Sequence, residues 1–279
     1  MTISTNLLRR MRPLLGTYVE VGAQASQQSI DAVHSAMAAA FAVVEQVQSS
    51  LSFHDPRSEL SRLNTQPDRW HALSPLAMRV LRLARGMTHA SGGLFNCTIG
   101  GALVQRGRLP NHDGKEVLPV GVADDLELQS GRARLRRSVR ITLDGIAKGF
   151  AVDCAIAALK RFGVSAAWVN AGGDLRVYGD CLLPVRHRDM THTFGVRNAA
   201  LASSAGNIDY DVALPGEILH PLDVQPVHGN WMVLAQHAWR ADALTKIAAL
   251  AAPDTRDVLL QRLGGHVVRA SDFQARVAA

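Results

Sequence analysis

Cysteine is scarce: Cys97, Cys154 and Cys181 are the only three in 279 residues, and their spacing fits neither a CxxC pair nor a metal finger. A zinc ribbon and a disulfide scaffold are therefore both excluded. Aromatic residues reach only 5%, with three Tyr and four Trp, none set in an RNP-type motif. Stacking platforms for nucleic acid have little to be built from, and no nucleic-acid partner is expected. No uninterrupted apolar run reaches the length of a bilayer span, so no transmembrane segment is expected. Charged residues are modest at 19% against 47% hydrophobic, with a mean hydropathy of +0.04. That balance belongs to a soluble globular chain, not a disordered polyelectrolyte.

Acidic charge is in deficit, 24 Asp+Glu against 30 Lys+Arg, for a net charge of +6. The excess is clustered at Arg9-Arg10-Met11-Arg12 and from Arg132 to Arg140. A positive field favours anionic partners, and a phosphate-bearing small molecule is a simpler partner than nucleic acid. A merely solvated basic surface is simpler still. No apolar segment precedes the first basic cluster, no early Cys offers a lipid site, and Pro13 to Thr17 is too short for a twin-arginine signal core. The expectation is a cytoplasmic protein.

Apolar periodicity places a strand at Thr17–Val21 after a turn at Leu15-Gly16. A helix follows at Ile30–Val47, burying Ile30, Val33, Met37, Ala40, Phe41, Val44 and Val47. Ser58-Glu59-Leu60-Ser61 starts a short helix, and another runs from Pro75 past Met87 to Ser91-Gly92-Gly93. Leu126–Leu128, Ala133–Leu135 and Val139–Leu143 read as a meander. A helix from Ile146 to Phe162 ends at Gly163, a natural left-handed cap. Ala166–Val169 and Leu175–Tyr178 form a hairpin, short strands fill 180–235, helices span Arg240–Ala252 and Thr255–Leu263, and Val267-Val268 is a last strand. Strands and helices in separate runs, with no repeat and no linker, predict one α+β domain over residues 1–279.

Chemistry concentrates in a few segments. Thr142-Leu143-Asp144-Gly145-Ile146-Ala147-Lys148-Gly149-Phe150-Ala151-Val152-Asp153 runs from strand end through a glycine turn into a helix. A helix N-terminus with Lys148 in its first turn suits a phosphate; an Asp-Gly turn with a surface lysine is the plainer account. Asn170-Ala171-Gly172-Gly173-Asp174 is either a turn brought close to a ligand or an ordinary hairpin. Asp242 opens a helix as a cap, an oxygen ligand for Mg²⁺, or an i,i+4 partner of Lys246. His220 precedes Pro221 on extended backbone and, taken alone, reads as structural.

Together these segments, with Phe53 to Asn64, Gly93-Leu94-Phe95-Asn96-Cys97-Thr98-Ile99-Gly100, Ser203 to Asn207 and His220-Pro221-Leu222-Asp223, resemble the FAD:protein FMN transferase (ApbE-like) family in content and order. Gly-Ile-Ala-Lys-Gly-Phe-Ala-Val-Asp followed by Val-Asn-Ala-Gly-Gly-Asp-Leu-Arg is the most specific match, and Ser-Glu-Leu-Ser-Arg-Leu-Asn supports it. The resemblance implies an ApbE-like, T-fold-related α+β fold, mixed sheets with flanking helices around an FAD cleft. It implies transfer of FMN from FAD to a Thr or Ser hydroxyl of a flavin-accepting protein, with Mg²⁺ and release of AMP. An FAD-binding protein without turnover and a metal-dependent FAD pyrophosphatase are the alternatives.

By position the resemblance implies flavin-nucleotide contacts at Leu15, Phe53, Leu94, Phe95, Asn96, Thr142, Lys148 and His220. It implies catalytic roles for His220, Asp242 and Lys246, and metal ligands at Gly145, Asp242 and Thr245. Leu15 stands for the family's Met, and Asn96 and Thr142 stand for Asp. Lys246 replaces the Thr one turn after the metal-binding Asp, and a protonated lysine has no lone pair for a metal. Either its ammonium takes the metal's place or the site shifts onto Thr245. The segment after Asp223 also departs from the family's Pro-Arg-Thr-Gly, which puts the shape of that loop in question.

Overall fold

In a computed structural model the described residues are 6–25, 28–186, 193–206 and 217–269. The chain opens with a hairpin, β1 (Asn6–Leu14) and β2 (Thr17–Ala25). Then comes α1 (Ile30–Leu51), capped by Ser29, whose hydroxyl accepts from the Ala32 N–H. Next are α2 (Glu59–Thr65), β3 (His71–Ala72), α3 (Pro75–Ala90) and α4 (Gly100–Gln105). β4 (Leu126–Gln129) and β5 (Arg132–Leu135) lead to α5 (Ala147–Arg161). A hairpin of β6 (Ala167–Ala171) and β7 (Asp174–Tyr178) precedes β8 (Leu183–Val185) and β9 (Phe194–Val196). β10 (Ala200–Gly206), β11 (Gly229–Ala235), α6 (Ala238–Leu250), α7 (Arg256–Arg262) and β12 (Gly265–Val267) complete the order.

Seven strands form one sheet in the order β1-β2-β6-β7-β10-β11-β12, each neighbour antiparallel. β7 shows why it has two faces. Asp174, Arg176 and Tyr178 alternate with Leu175 and Val177, and the first set faces α5. Helices α1, α5 and α6 close the larger core on that side. Trp168, Leu175, Val177, Leu201 and Met232 fill a smaller core on the opposite face. The α+β expectation holds.

Helix α1 meets the length and hydropathy of a bilayer span, yet Val33, Ala36, Met37, Ala40, Phe41, Val44, Val47 and Leu51 are buried. Ile30 does not join them: the packed face begins at Val33, leaving the first residue 48% exposed. The basic cluster on β1 is partly neutralised, with Arg9 paired to Glu20 and Arg12 to Glu45. The second cluster is likewise tied to Glu127, Asp125 and Asp113.

The expected meander keeps only two of its strands. Val139–Leu143 forms no extended ladder: it makes only a single parallel bridge, Arg140 to Ile99, and the Asn64 side chain holds the Ile141 backbone. Asn64 donates Nδ2 to the Ile141 carbonyl (2.8 Å) and accepts the Ile141 N–H on Oδ1 (2.7 Å). Ser58, in the same motif, caps α2, and Glu59 accepts the Ser74 N–H at the start of α3 (2.6 Å). The Ser-Glu-Leu-Ser-Arg-Leu-Asn segment is thus a clamp that fixes the approach to Thr142.

Candidate functional site

The site begins where Val139–Leu143 turns into α5. Thr142 is buried; its N–H donates to the Cys97 carbonyl (2.9 Å), and its hydroxyl accepts the Asp144 N–H (3.2 Å). Gly145 follows with φ +93°, a left-handed backbone that glycine adopts without steric cost. α5 has no side-chain cap of its own. Its first-turn Gly149 N–H is satisfied by Asp242 Oδ2 of α6 at 3.2 Å.

Two ion pairs lock α5 onto β7. Lys148 Nζ lies 3.0 Å from Asp174 Oδ2, and Arg176 donates to Asp153 Oδ1 at 2.5 Å. The other Asp153 oxygen accepts the Trp239 N–H (3.0 Å), so an acid on α5 caps the start of α6. Two sequence motifs far apart in the chain therefore interlock residue by residue. The helices meet at Gly149, where a Cβ would lie 2.2 Å from the Ala238 carbonyl oxygen. Gly149→Ala is expected to cost about 1–3 kcal/mol by overpacking and to weaken the Asp242 contact; urea denaturation measures it.

Asp174 and Asp242 are both buried, each 1% exposed. Burial pushes the Asp174 carboxyl up to about 7, the neighbouring Asp242 charge adds to this, and Lys148 and Lys246 oppose it. Neither Asp174 oxygen has a well-aligned hydrogen bond; the contact with Lys148 is one of charge at short range. Asp174, before all else, holds Lys148 firmly protonated, with its pKa above the ordinary lysine value.

Lys246 completes the cluster. Its Nζ donates to Ser204 Oγ at 2.6 Å and lies 3.3 Å from Thr245 Oγ1 and 3.4 Å from Asp242 Oδ1. Its stem crosses the Gly145 backbone so closely that a Cβ there would meet Lys246 Cε at 2.6 Å. The three positions expected to ligate a metal are therefore together, but a lysine lies among them. Thr245 Oγ1 donates to the Asp242 carbonyl (2.7 Å), and no cluster of three His, Cys, Asp or Glu suited to a metal occurs among the described residues. This donor set does not fit a divalent ion.

Two hairpin tips flank the cluster. Leu15 and Gly16 form the β1–β2 turn at φ 57° and 68°, a left-handed conformation that is rare for leucine. The Leu15 N–H is held by Gln48 Oε1 at 2.5 Å. At the β6–β7 tip, Asn170 Oδ1 accepts the Gly173 N–H (2.9 Å). A Cβ on Gly172 would meet Thr17 Oγ1 at 2.6 Å and one on Gly173 would meet Ser203 Oγ at 2.7 Å, so both glycines permit close approach.

Beside the cluster opens a shallow cleft of ≈ 70 Å³ lined by Leu94, Phe95, Asn96, Thr142, Pro221 and Lys246, among others. Five expected contact or catalytic residues share it. Asn96 lines it with a saturated amide, accepting from the Thr98 N–H and hydroxyl on Oδ1 and donating to the Gly121 carbonyl (3.1 Å). An aspartate there would set two acceptors against each other, which explains the asparagine. Phe53 is not on the cleft wall; its ring stacks on His112 (6.4 Å, 28°). His220 sits beside Pro221 in a turn in which its carbonyl accepts the Val224 N–H (2.8 Å), while its Nδ1 is 3.5 Å from Asp223 Oδ1. Asn207 lies outside the described residues.

Sequence reasoning gave no role to Asp174, Ser204 or the Asp153–Arg176 pair. Asp174 stood in a quoted motif, but only burial beside Lys148 distinguishes it from a hairpin residue. The cysteines add nothing nucleophilic: burial pushes Cys97 and Cys154 each up to about 11.

Comparison with known proteins agrees with this geometry. The structure resembles the ApbE protein of Thermotoga maritima at a TM-score of 0.81 and 21% identity, covering 97% of this chain and 99% of that one. It resembles the apo flavinyl transferase ApbE of Pseudomonas stutzeri at 0.78 and 19%, covering 96% and 97%. The flavin transferase ApbE of Vibrio cholerae matches at 0.76 and 18%, covering 97% and 99%. No curated protein sequence matches significantly. The model of the ApbE family matches residues 15–268, from the tip of the first hairpin past the last strand. A match of that extent, over the same interlocked motifs, places the chain in the ApbE family.

Proposed function

We propose that this chain, as one domain over residues 1–279, transfers FMN from FAD to a Thr or Ser hydroxyl of an acceptor protein and releases AMP. The observation that carries the reading is the meeting of the cleft with Lys246, whose buried partner Asp242 is linked by charge to the neighbouring Lys148–Asp174 pair. Membership in the ApbE family and the flavin-transferase relatives support it.

In the reaction, the acceptor oxygen bonds to the phosphorus that carries the flavin half, and the P–O bond to the bridging oxygen breaks. AMP leaves with that oxygen, and the hydroxyl proton passes to a base. His220 is that base, an imidazole whose Nδ1 lies 3.4 Å from the Leu222 N–H and 3.5 Å from Asp223 Oδ1. Lys148 and Lys246 carry the positive charge that a reacting diphosphate needs. Leu94 and Phe95 offer an apolar wall to a nucleotide ring. Leu15, on its strained turn, is the flavin-side contact.

Incubation with FAD and a Thr-bearing flavin acceptor tests this reading. AMP and a flavin that stays on the denatured acceptor are the expected products. FMN and AMP in solution, with the acceptor unlabelled, would instead mark an FAD pyrophosphatase.

A further inference from the structure

The cation at Asp242 is part of the chain. We propose that the Lys246 ammonium is a built-in replacement for a divalent ion, and that this site binds the diphosphate of its nucleotide without metal. The inference rests on the flavin-nucleotide reading and concerns how that same site handles charge.

The geometry around Nζ carries it. An ammonium has three N–H donors and no acceptor. Three protein oxygens surround this one: Ser204 Oγ, Thr245 Oγ1 and Asp242 Oδ1, at 2.6, 3.3 and 3.4 Å. Only the first contact is short. The other two are long enough for the ammonium to give them up to a phosphate oxygen, a stronger acceptor than a hydroxyl. The side chain is 22% exposed and lines the cleft together with Thr142, Leu94 and Phe95. A charge held among buried oxygens thus has one open side, toward the candidate nucleotide.

The same oxygens leave nothing for a metal. Asp242 Oδ2 accepts the Gly149 N–H, and the Asp242 Oδ1 and Thr245 Oγ1 lone pairs already face the Lys246 ammonium. The Gly145 backbone, the third expected ligand position, is covered by the lysine stem. A divalent ion would have to share this space with a full positive charge a few ångströms away. Charge counting agrees: with both buried carboxylates ionised, as Asp174 is above about pH 7, they balance the two lysines and the cluster is neutral without any ion.

Two titrations, on wild type, Lys246→Thr and Lys246→Met, test the proposal, with thermal melts confirming that each variant is folded. In the first, Mn²⁺ is added without nucleotide and free ion is read by electron paramagnetic resonance. Wild type is expected to leave Mn²⁺ free, and Lys246→Thr to bind it at least about tenfold more tightly. In the second, FAD is added in EDTA or in Mg²⁺. Wild type is expected to bind FAD equally in both, within about threefold. Lys246→Met, which keeps the stem over Gly145, is expected to lose at least about tenfold in both. Lys246→Thr should lose affinity in EDTA and recover it in Mg²⁺. Tight Mn²⁺ binding by wild type, or FAD binding by wild type that needs Mg²⁺, overturns the proposal. If FAD fails to bind folded wild type under either condition, the flavin reading falls, while the Mn²⁺ titration still reads the cation site.

Discussion

Asparagine in place of Asp174 is expected to flatten the pH dependence of stability below neutrality, while costing stability overall because Lys148 loses its partner. The folded carboxyl keeps its proton up to about 7, whereas an unconstrained Asp loses it near 3.8. Between those values the native state binds one proton more than the unfolded chain, so wild-type stability falls as pH rises, by up to about 1.4 kcal/mol per pH unit. The contribution is complete below the unfolded pKa and is lost as pH passes the folded one. Carboxylates held low by arginines, such as Glu217 with Arg106 and Asp125 with Arg137, act in the opposite sense, losing their contribution as pH falls below the ordinary carboxylate range. His237, whose pKa burial holds below the ordinary histidine value, acts in that opposite sense between about 4 and 7, so the difference in slope between wild type and Asp174→Asn is what reports Asp174. Urea midpoints across that range, for wild type and Asp174→Asn, give the slope; equal slopes would show that Asp174 ionises normally. The cost of keeping this acid buried beside Asp242 is the kind of local instability that binding sites retain for function.

His220→Ala is expected to slow flavin transfer by about 10²–10⁴-fold, the usual worth of a positioned general base, and to leave FAD affinity within about threefold. The turn that carries it is closed by backbone bonds from the His220 N–H to the Gln225 carbonyl (2.9 Å) and from the Val224 N–H to the His220 carbonyl (2.8 Å). Neither bond uses the imidazole, whose one hydrogen bond within the turn is the long Leu222 N–H to Nδ1 at 3.4 Å, so the substitution removes a base and leaves the turn's backbone closure in place. His220→Gln keeps polarity but no basic nitrogen and should be equally slow. A histidine that merely supported the loop would be rescued by glutamine, and its loss would weaken FAD binding along with turnover.

Much of the fold was legible because local signals agreed with tertiary demand. Ser58 and Ser74 capped the helices their sequence announced, and Gly163 ended α5 at φ +77°. Val139–Leu143 misled because an extended, β-branched segment need not find a strand; it makes one isolated bridge to Ile99, and the Asn64 side chain, 77 residues away along the sequence, takes the Ile141 backbone. β1 hid behind its arginines, whose charges are neutralised by Glu20 and Glu45 and whose planes lie over Trp168 and Phe41. In the site, motif order pointed to the segments at 142–148, 170–174 and 242–246. Which side chains would face one another was invisible, since Lys148 meets Asp174 and Gly149 meets Ala238 only after the sheet and helices pack. Phe53 shows the converse: a position that matched by motif turned its ring to His112, away from the cleft wall.

On the proposed reading, the bends at Gly145 and Gly172, with the acid–lysine pairs between them, form one receptor for linked phosphates. Parallel titrations of FAD and riboflavin into wild type and Lys148→Met test it most directly. Charge-assisted hydrogen bonds contribute about 1.5–3 kcal/mol each, so FAD should bind wild type far more tightly than riboflavin does. Lys148→Met should weaken FAD by about ten- to a hundredfold and leave riboflavin unchanged. Equal affinity for the two flavins, or an FAD affinity indifferent to the loss of Lys148, would contradict the claim.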